Sequence, residues 1–215
     1  MTSESTAIHV DVRAKYLDTE DLKLAASLLY QAYQDDPVFL EIFKGDKPDF
    51  EQRLRALIRE ELSVFWQSKQ PMIGLYSGEI MVGVACLNSP DEGFDSNRFW
   101  HWRLKMLLSA GYVSTKQMIE KEKIIAAAVP LSIYHLLSFI AIHPLHQHHG
   151  YGQYLMAAID SMLTEHQTSE GIVVFATTDK YREFFTDVGY EFVNQITIGR
   201  VSGALMLHRR TTDEN

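Results

Sequence analysis

The sequence predicts one α/β domain, residues 1–215, built on a mixed sheet. Three observations carry that reading. Residues 134–177 hold two apolar runs separated by one amphipathic stretch, which is the pattern of a strand–helix–strand unit. Residues 72–89 hold two apolar runs around Ser77-Gly78-Glu79, which is a hairpin signal. Residues 22–36 and 49–69 repeat apolar side chains at helical spacing.

Taken in order, Ile8, Val10 and Val12 alternate with His9, Asp11 and Arg13, as in a half-buried strand ending near Ala14. Thr19 or a nearby Asp then caps a helix carrying Leu22, Ala25, Leu28, Leu29 and Ala32. That helix ends by Asp36, because Pro37 disfavours helical geometry in the residue before it. Leu54, Leu57, Ile58, Leu62 and Phe65 mark a second helix over 49–69. After the hairpin, residues 91–130 read as a helical insertion between the third and fourth strands, broken at Gly111 and closed by Pro130. Trp100 and Trp102 lie in it, either packing it onto the sheet or walling a pocket. Tyr134–Ile142 reads as a strand buried on both faces, since the run is almost continuously apolar. A helix follows from Gly150 to about His166, then a buried strand from Gly171, in a right-handed parallel crossover. A short helix over 180–187 stops at Gly189, and two further strands, EFVNQITIG and VSGALMLHR, close the sheet.

Composition sets limits on function. The chain is 46% hydrophobic and 22% charged, as globular domains are, with a formal net charge of −8 that disfavours nucleic acid as a partner. Cys86 is the only cysteine, which excludes a disulfide framework and a cysteine-based metal site. No apolar run approaches the roughly 18 residues needed to span a membrane. The first residues lack the charged and apolar regions of a secretion signal, so the expected location is the cytoplasm.

The chemistry concentrates in HPLHQHHGYGQYL, between the first buried strand and its helix. Gly150 and Gly152 open that helix, where backbone N–H groups lack partners and the helix dipole is positive. Such a turn cradles a phosphate or pyrophosphate. It matches neither the dinucleotide fingerprint GxGxxG nor the Gly-Lys-Ser/Thr phosphate loop. His143, His146, His148 and His149 cluster here without the spacing of a metal template, and so read as loop and phosphate-side histidines rather than ligands of a metal. As pH-dependent cations they predict that coenzyme A affinity rises from pH 8 to pH 6, which a titration of Kd measures.

LLSFIAIHPLHQHHGYGQYLM resembles motif A of the GNAT N-acetyltransferases: a strand ending Ile140-Ala141-Ile142-His143-Pro144, then Gln147-His148-His149-Gly150-Tyr151-Gly152, then an amphipathic helix. REFFTDVGYEF resembles the later motif of that family. AYQDDPVFLEIF, the helical insertion and GALMLHRR resemble its puromycin N-acetyltransferase-like subgroup. The resemblance implies the GNAT acyl-CoA N-acyltransferase fold and acetyl-CoA as cosubstrate, without a metal. Its pyrophosphate would lie on the amides of His148 to Gln153, and its pantetheine beside Ile140, Ala141 and Ile142, where the two parallel strands splay apart. A backbone N–H near Ile142 would stabilise the oxyanion. The acceptor would be a primary amine of a small molecule, contacting Asp35, Asp36 and the insertion, and the protein a monomer or homodimer.

Three positions depart from the family pattern. Leu136 stands where many members carry a Glu, and Phe185 stands where the usual general acid is a Tyr. Thr178 replaces the family's Asn. By alternation, Tyr134, Leu136, Ser138 and Ile140 share one strand face, so Tyr134 or Ser138 is a candidate to hold a relay water, and His135 points the other way. Tyr181, one turn before Phe185, is the candidate acid. These departures keep a second reading open, an acyl-CoA-binding or sensor protein without turnover. A third is transfer of a longer acyl group.

Overall fold

The computed structural model describes residues 11–90 and 111–210. Trp100, Trp102, Ile8 and Val10 lie outside them. Among the described residues seven strands form one sheet: β1 (Val12–Tyr16), β2 (Met72–Ser77), β3 (Ile80–Asn88), β4 (His135–Ile142), β5 (Gly171–Ala176), β6 (Glu191–Ile198) and β7 (Val201–Arg209). Their order is β1-β2-β3-β4-β5-β7-β6. Neighbours are antiparallel except β4 and β5, which run parallel.

The described helices are α1 (Leu22–Tyr33), α2 (Pro37–Phe43), α3 (Phe50–Gln67), α4 (Tyr112–Ala128), α5 (Tyr151–Glu165) and α6 (Asp179–Asp187). The core lies in two layers. One cluster gathers Leu29, Ile42, Leu57, Met118 and Phe139 between the sheet and α1 to α4. The other gathers Leu137, Leu155, Ile159, Val174 and Phe185 between the sheet and α5 and α6. The periodicity of 49–69 holds: Leu54, Leu57, Ile58, Leu62 and Phe65 are all buried along α3. Burying each such side chain contributes about 1.5–3 kcal/mol.

The first strand differs from the expectation. It is an edge strand running on to Tyr16, and its side chains are largely exposed. Of the caps expected for α1, an Asp holds the position: Asp21, which makes no side-chain capping bond. The chain also does not become loop after Asp36. Asp36 is extended (φ −69°, ψ 128°) and its side chain accepts the N–H groups of Val38 and Phe39, while Pro37 takes the first helical position. The same proline that ends one helix therefore begins the next.

Two further corrections concern β4. Its residues alternate between buried and half-buried, so it is not buried on both faces. It also carries a bulge, because Cys86 pairs with Phe139 and Leu87 with Leu137, leaving Ser138 without an opposite residue. A bulge inserts one residue and reverses the facing of those beyond it. Tyr134 and Leu136 thus pack with Phe139 and Ala141 against the α1–α4 layer, whereas Leu137, Ile140 and Ile142 pack against the α5 layer. Tyr134, Leu136, Ser138 and Ile140 do not share a face.

Candidate active site

β4 and β5 pair only at His135↔Ile172, Leu136↔Val173 and Leu137↔Val174. Beyond the bulge they part, and a cavity of about 410 Å³ lies there, reaching from the turn between α1 and α2 to the start of α5. Of the expected site residues, Ser138, Ile140, Ala141, Ile142, Gln147, His148, Gly150, Tyr151, Gly152, Gln153, Tyr181 and Phe185 line it.

One wall is built from the loop after β4. Gln147 donates from Nε2 to the carbonyl of Ile142 at 3.2 Å, tying the loop to the strand end. Gly150 caps α5 at φ +80°, a left-handed conformation that glycine adopts without strain. Gly152 answers to packing: a Cβ there would stand 3.0 Å from the ring of Phe184. The first N–H groups of α5 have no carbonyl a turn earlier, and with the helix dipole behind them they are suited to an anion. Gln153 is an exception, since its N–H already donates to the Gly150 carbonyl at 3.0 Å. His149 does not line the cavity; its Nδ1 lies 2.7 Å from the carbonyl oxygen of Gln147. His143 accepts the N–H of Leu145 at 3.2 Å and so shapes the turn.

The other walls carry charge and hydroxyls. Asp36, 5% exposed, lines the cavity; besides capping α2 it accepts the hydroxyl proton of Thr177 at 2.7 Å. Burial raises its pKa above the usual carboxylate range, against the hydrogen bonds from Thr177, Phe39 and Val38. Glu122 and Lys121 enter from α4, and burial raises Glu122 while Lys121 pulls it back. Tyr33, on α1, spans the gap between the strands: its hydroxyl accepts the N–H of Ile140 at 3.0 Å and donates to the carbonyl of the same residue at 3.1 Å. Burial keeps this phenol far above its ordinary pKa.

The catalytic candidates fare differently. Tyr181 lines the cavity, and burial, then Asp36 and Asp35, raise its pKa, so it stays a proton donor. Ser138 lines it too and accepts Asn88 Nδ2 at 2.9 Å, which leaves its own proton for a water or ligand. Tyr134 does not line it; it precedes β4, before the gap opens, and packs half-buried against the α1–α4 layer. Thr178 caps α6 by accepting the N–H of Tyr181 at 3.4 Å; its neighbour Thr177 reaches the cavity instead. Phe185 is 3% exposed, against Phe184 and Tyr190, with no proton to offer. His135 is fully buried, its Nδ1 2.9 Å from the hydroxyl of Ser169.

Sequence reasoning missed Tyr33, Glu122 and the capping role of Asp36. Asp-Pro at 36–37 is a legible helix start. Nothing local marks Tyr33, whose partner lies 107 positions away.

The fold is that of the GNAT acetyltransferases. One structure, described as histone acetyltransferase HPA2 and related acetyltransferase from Corynebacterium glutamicum ATCC 13032, is 16% identical. It covers 95% of this chain and 99% of its own, with a TM-score of 0.72. The C-terminal condensation domain of Ebony, in complex with β-alanyl-dopamine, is 10% identical over 93% of this chain and 99% of its own, with a TM-score of 0.65. The acetyltransferase yncA from Salmonella typhimurium, with its cofactor acetyl-CoA, is 12% identical over 95% and 96%, with a TM-score of 0.53. No protein-family model and no curated protein matches the chain.

Proposed function

We propose that this protein is an acetyl-CoA-dependent N-acetyltransferase that moves the acetyl group directly to a primary amine of a small molecule. The observation that carries the reading is the cavity where the β4–β5 ladder ends, bounded both by the N-terminal amides of α5 and by the carboxylate of Asp36. The amides suit the diphosphate of the cosubstrate. Asp36 and Glu122 suit an ammonium ion, and they come from the α1–α2 turn and the insertion helix. Acetyl-CoA bound to the Salmonella typhimurium protein and β-alanyl-dopamine bound to the Ebony domain support, by analogy of fold, the two kinds of ligand.

An alkyl amine with a pKa of roughly 10.4 is free base in only about one molecule in 10³ at pH 7. Asp36 takes the ammonium proton, directly or through the Thr177 hydroxyl, and its raised pKa makes it a better base than an exposed carboxylate. The amine nitrogen then attacks the thioester carbon; collapse breaks the C–S bond, the departing thiolate takes a proton from Tyr181, and the second proton that the nitrogen sheds as the amide forms passes through water to restore Tyr181. The protein works as one domain, a monomer or homodimer in the cytoplasm, without metal, nucleic acid or membrane. Among the described residues no helix is long and apolar enough to cross a membrane. The motifs quoted above support membership of the puromycin N-acetyltransferase-like subgroup.

Thiol release from acetyl-CoA with a panel of amines tests the reading, beside calorimetric binding of coenzyme A. Turnover on at least one amine supports transfer. Phe185, without a hydroxyl where the family has its acid, favours a second reading, binding without transfer. Tight coenzyme A binding with no thiol release on any amine selects that alternative.

A further inference from the structure

Transfer to an amine puts negative charge on the thioester oxygen, and a donor must be waiting there. The sequence resemblance assigns that task to a backbone N–H of β4. One such group is already engaged. Ile140 faces Ala85 on β3, yet its N–H and its carbonyl both go to the Tyr33 hydroxyl, at 3.0 and 3.1 Å. Alternate residues of a strand turn their backbone groups to opposite neighbours. Ile140 turns its groups to the side that β5 leaves after Leu137↔Val174. The phenol therefore sits in the missing rung of the sheet, beside the cavity.

A ligand entering this gap meets that hydroxyl first, and two responses are open to it. Swinging Tyr33 out would break both hydrogen bonds and its edge-on contacts with Phe39 and Phe139, at 5.4 and 5.6 Å between ring centres. Turning the O–H about its C–O bond moves one hydrogen atom and keeps the bond from Ile140 N–H. The second response costs far less. It also frees the Ile140 carbonyl on the strand edge along which the resemblance lays the pantetheine.

We propose that the Tyr33 hydroxyl is the oxyanion donor of this site, held by the Ile140 N–H and turned from the Ile140 carbonyl onto the acyl oxygen of the bound thioester. This rests on the acetyl-transfer reading above. The bond from Ile140 N–H polarises the hydroxyl, so the chain N–H···O–H···O strengthens as charge builds on the oxygen. Tyr33 keeps its proton throughout; the amine proton goes to Asp36, and the sulfur leaves with the electrons of the C–S bond.

Tyr33→Phe keeps the ring and its contacts and removes the donor. The expected result is a fall in kcat with acetyl-CoA of about 100-fold, with the Kd of coenzyme A, which has no acyl oxygen, changed by less than about threefold. An unchanged kcat overturns the proposal. So does coenzyme A binding that tightens beyond that margin, which would make the hydroxyl a plug. Should the variant not fold, the wild type decides through two thioether analogues: S-acetonyl-CoA, with a carbonyl oxygen, and S-propyl-CoA, without one. Tighter binding of the first, by about tenfold, supports the proposal, and equal binding refutes it. A wild type that binds coenzyme A but never releases thiol counts against the transfer reading alone, and the two analogues still decide the role of Tyr33.

Discussion

Replacing Asp36 by Asn separates the chemistry of this carboxylate from its structural work. The carboxylate accepts three protein hydrogen bonds: Val38 N–H at 2.9 Å and Phe39 N–H at 3.3 Å on Oδ1, and the Thr177 hydroxyl at 2.7 Å on Oδ2. Asn caps helices about as well as Asp and keeps Oδ1 for the two amides. Its new N–H₂ meets a Thr hydroxyl, which can turn and accept. Folded-state burial raises the pKa of Asp36, so its contribution to stability is fully present below the unfolded-state pKa and is lost as pH rises through the folded-state value. At pH 7 the ionised group is therefore a burden on the fold that Asn lifts, and the net change in stability is expected within about 1 kcal/mol of zero. Loss of the base costs turnover about 10²–10⁴-fold. The assay is kcat/KM for the best amine from pH 5 to 9. In the wild type the acidic limb lies above the ordinary carboxylate range, with activity falling as pH drops through it; in Asp36→Asn that limb disappears. A folded Asp36→Asn protein with kcat/KM within threefold of wild type refutes Asp36 as base. Asp36→Ala is the stability control: it strips the cap of α2 and costs about 1 kcal/mol before the orphaned Thr177 hydroxyl is counted.

Other positions give independent tests. Gly150→Ala forces a side chain into φ +80°, a strain of about 1–2 kcal/mol, and is expected to weaken coenzyme A binding at least tenfold (an order of magnitude, from disturbed N-terminal amides); calorimetry showing an unchanged Kd in a folded protein contradicts the cradle. Gly152→Val drives a Cβ to 3.0 Å from the Phe184 ring, and the same titration should show weaker binding together with a lower melting temperature. Tyr181→Phe removes the thiolate's donor; because a thiolate with a pKa near 8.5 leaves tolerably unaided, kcat at pH 7 should fall by only about tenfold, and no fall at any pH would dismiss Tyr181. Phe43→Ala empties a fully buried position of the α1–α4 layer and should cost about 3–5 kcal/mol in denaturant titration.

The sequence by itself determined what depends on near neighbours. The helical spacing of Leu54 to Phe65, the turn at Ser77-Gly78-Glu79 and the helix start at Gly150 are each legible within a few residues, because backbone geometry makes them periodic or conformationally restricted. The wall of the cavity that carries Gly150 and Gly152 followed from those signals. Only the tertiary structure decided which groups meet in the cavity. One unpaired residue at Ser138 reverses the facing of β4, which puts half-buried Tyr134 and Ile140 on opposite faces and leaves Ile140 in the gap, and alternation along a strand holds no record of such a bulge. Tyr33 finds Ile140 across 107 positions and Asp36 finds Thr177 across 141. Such meetings are settled by how helices seat on the sheet, where the fit of every packed side chain contributes and no local pattern registers the result.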